Sequence, residues 1–153
     1  MKKIIIALMV FVGIASAEVI TGVEVGTGKA YSSSHARVNT GVLKVGTENE
    51  ASRLFLFIGA DHYNNNEGSC KFYGIEFDKK FDDFYVGFEL AFGKKNMKSY
   101  VDSVRDAGFK IGHTWYSEGS SIDAGVKFKD RLYKGDDTRD RLGLVFVGYN
   151  FNL

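Results

Sequence analysis

The chain has 153 residues, a formal net charge of +1 from 20 Lys and Arg against 19 Asp and Glu, and one cysteine. That length suits a single domain; the near-zero charge without a charged run argues against a nucleic-acid partner, and a lone cysteine excludes an intramolecular disulfide. Proline is absent, while 18 glycines and 14% aromatic residues favour long, uninterrupted, closely packed strands.

Lys2 and Lys3 precede an apolar run from Ile4 to Ile14, and Ala15-Ser16-Ala17 follows in the small-x-small form that signal peptidase cuts. The run is far shorter than the roughly 20 residues a membrane-crossing helix needs. The sequence therefore predicts a cleaved signal peptide over 1–17, Glu18 as the first mature residue, and one mature domain over 18–153. No cysteine is placed for lipid attachment, and Cys70 reads as a small apolar side chain on a strand.

Downstream, clusters of Gly, Asn, Asp, Ser and Lys separate eight segments that alternate at period two. The first, Val19 to Gly28, sets Val19, Thr21, Val23 and Val25 against Gly22, Glu24, Gly26 and Gly28. The second, Arg37 to Gly46, is ambiguous in facing because Leu43 and Val45 oppose Val42 and Lys44. The third, Arg53 to Tyr63, sets Leu54, Leu56 and Ile58 against Phe55, Phe57, Gly59 and Asp61. The fourth, Cys70 to Asp78, opposes Tyr73, Ile75 and Phe77 to Phe72, Gly74, Glu76 and Asp78.

The fifth segment, Phe84 to Gly93, alternates most clearly: Phe84, Val86, Phe88, Leu90 and Phe92 oppose Tyr85, Gly87, Glu89, Ala91 and Gly93. The sixth, Val104 to Trp115, sets Phe109, Ile111, His113 and Trp115 against Gly108, Lys110, Gly112 and Thr114. The seventh, Ser121 to Leu132, sets Ile122, Ala124, Val126 and Phe128 against Asp123, Gly125, Lys127, Lys129 and Arg131. The eighth, Arg141 to Leu153, carries Gly143, Val145, Val147, Tyr149, Phe151 and Leu153 on one face and Gly148, Asn150 and Asn152 on the other.

Thr47 to Ser52, Lys79 to Asp83 and Tyr116 to Ser120 read as compact turns. Lys29 to Ala36, Asn64 to Ser69, Lys94 to Ser103 and Tyr133 to Asp140 read as somewhat longer loops, the third with room for a helical turn. An even strand number puts both termini on one side, the periplasmic side in a membrane barrel.

Alternation alone does not say which face points inward, and a lipocalin-like barrel would bury the apolar one around a ligand. The polar face, however, is rich in glycine (Gly22, Gly26, Gly28, Gly74, Gly87, Gly93, Gly108, Gly112, Gly125 and Gly148), which suits a narrow lumen. It also carries Glu24, Glu76 and Glu89 with Lys110, Lys127 and Arg131, a set able to pair as an internal ionic network. Tyr63, Trp115, Tyr116, Tyr133 and Tyr149 lie near strand ends, where aromatic side chains seat at membrane interfaces. The fold class read from these features is all-β: an eight-stranded antiparallel up-and-down transmembrane β-barrel.

The closing strand, apolar and aromatic on one face to the last residue, resembles the C-terminal assembly signal of bacterial outer-membrane barrels, with Leu153 where that family usually ends in Phe or Trp. With the signal peptide and the strand pattern, the mature length resembles the small eight-stranded outer-membrane β-barrel proteins of the OmpA-transmembrane-domain, OmpX and outer-membrane β-barrel domain type. The resemblance implies residence in the cell outer membrane of a Gram-negative envelope, contact with outer-membrane lipids and lipopolysaccharide, and delivery by periplasmic chaperones and the barrel-assembly machinery. It also implies a monomer whose loops, in some relatives, contact host surfaces.

The functional expectation is a non-enzymatic surface protein serving envelope integrity, with adhesion or resistance through its loops as a further role and no cofactor. A porin-like diffusion pore is disfavoured because eight strands leave an interior that side chains fill; a narrow ion path, a soluble periplasmic ligand binder and a lipid A-modifying enzyme are the alternatives. The enzymatic alternative needs a nucleophile, a base and an orienting carboxylate, and Ser34, His35 and Asp61, beside His62, could group at the outer rim. The pattern of the outer-membrane deacylase, His and Ser two apart on one strand with a downstream Glu, fails here: His113 is followed by Thr114 and Trp115, with Ser117 and Glu118 too far on. Asp136, Asp137 and Asp140 lack calcium-loop spacing, no His/Cys cluster marks a metal, and Gly26-Thr27-Gly28 precedes no helix. No catalytic, cofactor-binding or metal residue is assigned.

Overall fold

Eight period-two segments each offer one apolar and one mixed face, and the chain resolves this by curling a single sheet until its edges meet. A computed structural model describes residues 17–31, 36–64, 68–96, 101–135 and 138–153. The apolar run Ile4 to Ile14 and the cleavage-site residues Ala15 and Ser16 lie outside them. The strands are β1 (Glu18–Ala30), β2 (Arg37–Glu48), β3 (Ser52–Tyr63), β4 (Ser69–Phe81), β5 (Phe84–Asn96), β6 (Val101–Ser117), β7 (Ser120–Tyr133) and β8 (Arg139–Asn152). Each pairs antiparallel with its chain neighbours and β8 returns to β1 in a closed barrel, with the seam running from Ile20↔Asn152 to Ala30↔Leu142.

Tight turns join strands at the end that holds Glu18 and Leu153, the inner end. The β2–β3 turn is held by the Asn49 side-chain oxygen, which accepts from the backbone N–H of Ala51 at 2.9 Å and of Ser52 at 2.8 Å, a local turn built by an Asn side chain. In the β4–β5 hairpin Asp82 takes φ 54°, a left-handed conformation that Asp tolerates better than most side chains.

Apolar side chains point out and charged ones in. Val25, Leu56, Phe88 and Val145 are each more than 60% exposed, whereas Asp61, Asp78 and Arg131 are wholly buried. The outward ladder on β5 runs from Phe84 to Phe92; at about 3.3 Å per residue and a tilt of roughly 40° it rises about 20 Å, close to the ~25 Å apolar band of a membrane barrel. Water does not tolerate a belt of this extent on a monomer; hydrocarbon does. Trp115 and Tyr149 face outward at its inner edge, and Tyr31 and Tyr73 at its outer part.

Several sequence expectations are corrected. The strands outrun the turn-to-turn segments: β4 reaches Phe81 and β6 spans Val101–Ser117. Lys94↔Ser103 and Asn96↔Val101 pair as strand, so a helical turn does not fill Lys94 to Ser103; residues 97–100 lie outside the described set. The ambiguous second strand turns Val38, Thr40, Val42 and Lys44 inward and Leu43 and Val45 outward; the opposite register would carry Lys44 into hydrocarbon. Tyr63 and Tyr133, expected at the interfaces, are buried in the lumen, and Tyr116 turns its hydroxyl to Glu48 in the inner mouth at 3.0 Å.

The polar-face glycines are there for space. At every one of the ten a Cβ would meet another atom at 3.3 Å or less. The tightest is Gly28, where it would lie 1.8 Å from the Gly143 carbonyl oxygen across the β1–β8 seam. Backbone cannot give way as a side chain can. Gly28→Ala is therefore expected to destabilise the closed barrel by at least the ~1–3 kcal/mol typical of overpacking, read as a lower urea midpoint for loss of the compact, heat-modifiable form on SDS gels.

Candidate functional site: the charged lumen

The inward face of every strand contributes a charged side chain to the interior, β8 through the partly buried Asp140 at the outer end. Among the described residues seven cations (Lys44, Arg53, Lys95, Lys110, Lys127, Lys129 and Arg131) and seven anions (Glu24, Asp61, Glu76, Asp78, Glu89, Asp106 and Asp123) are fully buried, so this buried core is electrically balanced. They stack in layers along the axis. At the inner end Arg53 reaches Asp123 at 3.0 Å and Asp78 at 3.2 Å, and its guanidinium lies over the Tyr85 ring at 4.4 Å. Asp123 also accepts from the Thr114 hydroxyl at 2.7 Å and the Asn150 amide at 3.1 Å, so no charge in this layer stands alone.

The middle layer is a chain of alternating sign. Lys44 bridges Glu24 and Glu76, the latter at 2.9 Å. Lys110 joins Glu76 at 2.5 Å to Asp78 at 3.2 Å. Lys127 contacts Glu24 at 2.6 Å, Glu89 at 3.0 Å and Glu76 at 3.7 Å, and Lys129 completes Glu89 at 3.1 Å. Phe146 packs beneath the Lys110 and Lys127 ammonium groups, at 5.6 and 5.4 Å. In the outer layer Arg131 bonds Asp106 through Nε at 2.7 Å, Asp61 at 2.7 Å and the Tyr63 hydroxyl at 2.5 Å. Above it Lys95 donates to the Tyr133 hydroxyl at 3.1 Å and sits over the Tyr63 ring at 4.3 Å, while that hydroxyl donates to Asp140 at 2.6 Å.

Two small residues make room for the inner layers. A Cβ on Gly87 would stand 2.1 Å from an Asp78 carboxylate oxygen, and one on Gly112 would stand 2.4 Å from the Tyr85 hydroxyl. None of the fourteen lumen charges is more than 6% exposed. Side chains lining a water-filled channel keep surface open to water, and these do not. Below the Arg53 layer the inner mouth widens into a cavity of about 660 Å³ lined by Glu48, Lys80 and Tyr116 among others, where Lys80 and Glu48 pair at 2.6 Å.

The anticipated network is present with changed partners. Lys127 does gather Glu24, Glu76 and Glu89, and Lys110 does pair with Glu76, but Arg131 bonds Asp61 and Asp106 instead of a glutamate. Lys44, Arg53, Lys95 and Asp106 were not singled out from sequence, although strand parity alone places Arg53 with Phe55 and Asp106 with Gly108 on the inward face.

The residues weighed for catalysis are not assembled. Ser34 and His35 lie outside the described residues, as do Asp136 and Asp137. Asp61 is buried and held by Arg131, while His62, its neighbour, points to the outside. His113 packs on the outer surface between Phe84 and Trp115, with ring centroids at 4.8 and 4.5 Å, and Thr114 turns the opposite way, to Asp123. Glu118 is exposed in the β6–β7 turn.

An outward apolar belt, a closed antiparallel sheet and a charged, filled interior define the class: a small eight-stranded transmembrane β-barrel of the outer-membrane type. No protein-family model and no curated protein sequence matches the chain. Among solved structures it is similar to Neisserial surface protein A, with a TM-score of 0.67 at 14% identity over 88% of this chain and 97% of that one. It is also similar to the N-terminal β-barrel domain of Pseudomonas aeruginosa OprF, with a TM-score of 0.54 at 14% identity over 89% and 100%. A third similar structure is the Yersinia pestis outer membrane protein Ail, with a TM-score of 0.50 at 12% identity over 88% and 100%. At such identities the likeness is one of fold.

Removing one partner from a buried ionic cluster strands the others, at about 3–5 kcal/mol. Glu76→Gln removes the anion shared by Lys44, Lys110 and Lys127 and is expected to lower barrel stability by about that amount in a urea titration in detergent. Exposed Glu50→Gln should leave the midpoint unchanged.

Proposed function

We propose that the protein is an integral outer-membrane barrel with a structural and surface role, and that it is neither a diffusion pore nor an enzyme. The observation that carries this reading is the balanced, water-excluding charge network that fills the lumen from Arg53 to Lys95. Such an interior stiffens the barrel and leaves no path for solutes. On this reading the chain is exported by a signal peptide cleaved after Ala17, is delivered by periplasmic chaperones to the barrel-assembly machinery, and works as a monomer among outer-membrane lipids and lipopolysaccharide. The inner end, with both termini, faces the periplasm, and the connections after β1, β3, β5 and β7 face outward.

The pairing of buried Asp61 with Arg131, which also holds Asp106, supports a non-enzymatic role, because a carboxylate buried against an arginine is not available to orient a histidine at the rim.

Two measurements test this reading. Outer membranes run unboiled and boiled in SDS are expected to give a band whose mobility changes on heating; a soluble periplasmic protein without a shift would contradict it. In planar bilayers the protein is expected to be electrically silent. Steps of regular size in the wild type, altered in Arg131→Met, would instead establish an ion path through the lumen.

A further inference from the structure

The outer edge of the apolar belt is not uniform in charge. On β7 and β8 Asp130 lies opposite Arg141 and pairs with Arg139 at 3.5 Å. On β1 and β2 Thr27, Asn39 and Arg37 bond to one another at 2.9 and 3.3 Å. Lys29 on β1 lies opposite Arg37 on β2, but the Arg37 guanidinium is engaged by the Thr27 hydroxyl; the β4–β6 face differs in gathering four cations over one groove without an acidic residue. There Lys71 on β4 lies directly opposite Lys94 on β5, both outward and exposed. Arg105 stands one row lower on β6, opposite Phe92, and Lys134 joins from the end of β7, its backbone N–H donating to the Ser103 carbonyl at 3.0 Å. None of the four has a carboxylate partner among the described residues, and Asp102 turns its carboxylate to the Gly135 N–H at 3.2 Å.

Like charges facing each other across a strand pair repel, and among the described residues nothing compensates this cluster. It also sits over an apolar floor. The row just below Lys71 and Lys94 is Ile58, Tyr73 and Phe92 in register, each at least half exposed, with the Tyr73 and Phe92 rings 6.4 Å apart. Cations and floor line one groove of about 560 Å³ that contains no acidic residue.

The geometry points to a lipid site on this face: Lys71, Lys94, Arg105 and Lys134 bind the headgroup of a diphosphorylated lipid of the outer leaflet while Ile58, Tyr73 and Phe92 seat the start of its acyl chains. Charge selects the headgroup. A phosphodiester phospholipid brings one negative charge to four cations, whereas two phosphate monoesters, each near −1.5 to −2 at neutral pH, match them. The site rests on the membrane-barrel reading above and names which lipid that barrel holds, and where.

Native mass spectrometry of the detergent-solubilised full chain tests it, with a diphosphorylated acylated glucosamine disaccharide, its monophosphorylated analogue and phosphatidylglycerol as probes. The diphosphorylated lipid is expected to bind the wild type about tenfold or more tighter than the other two. The combined variant K71Q/K94Q/R105Q/K134Q should lose that preference, and K29Q/R37Q/R139Q/R141Q, with the same charge change on the other faces, should keep it. Equal binding of the three lipids to the wild type, or equal loss in both variants, would overturn the site. Heat-modifiability of the wild type separates the two failures: without it the barrel reading falls, and with it only the lipid site does. The wild-type comparison stands even if a variant does not fold.

Discussion

Hydrocarbon offers no hydrogen-bond partner to a peptide group, and this one constraint organises the molecule. Eight strands with an apolar face could pack face to face or around a ligand in water, but in a bilayer the sheet must close so that no edge is left unpaired. The β1–β8 seam is where closure is made. Gly28 matters there because the Gly143 carbonyl already occupies the space its Cβ would take.

Closure at eight strands fixes a narrow interior, and everything polar in the membrane-crossing segments has to fit inside it. Glycine at one position on the inward face admits a long side chain from another, as Gly87 does for Lys110 and Asp78 and Gly112 for Tyr85. The equal number of buried cations and anions then follows from the low dielectric of such a core, where an unpaired charge is severely disfavoured. A filled, neutral lumen in turn leaves the outer surface and the two ends as the places where the barrel can meet other molecules. Glu18, Glu48 and Glu50 line the inner mouth, whereas Lys71, Lys94 and Arg105 cluster on the β4–β6 side of the outer end of the belt.

Much of this was legible in the sequence because period two is a strict code. The β5 ladder of Phe84, Val86, Phe88, Leu90 and Phe92 against Tyr85, Gly87, Glu89, Ala91 and Gly93 reads directly, and its direction follows from ten glycines that suit a narrow lumen, charges of both signs able to pair inside it, and Tyr and Trp near the strand ends. The second strand was not legible, since Val42 and Leu43 are alike; its register is set by Lys44 meeting Glu24 from β1 and Glu76 from β4, contacts made only once the sheet has curled. Tyr63 and Tyr133 were misread because position near a strand end was given more weight than parity. Counting on by twos from Asp61 and from Arg131 puts both hydroxyls in the lumen, where the structure has them. The exchange of Arg131 from glutamate to aspartate partners was beyond a one-strand reading, because it depends on the axial stagger of β3 and β6.

Trp115, the only tryptophan in the chain, reports on which face of the sheet meets the lipid. It faces outward at the inner edge of the belt and is 52% exposed. With the protein reconstituted into bilayers of lipids brominated on their acyl chains, its fluorescence is expected to be strongly quenched, and quenching should fall as the bromines are moved toward the bilayer centre. Fluorescence indifferent to brominated lipid, in a protein that stays in the aqueous phase, would mean that the apolar face is turned inward and the account is wrong.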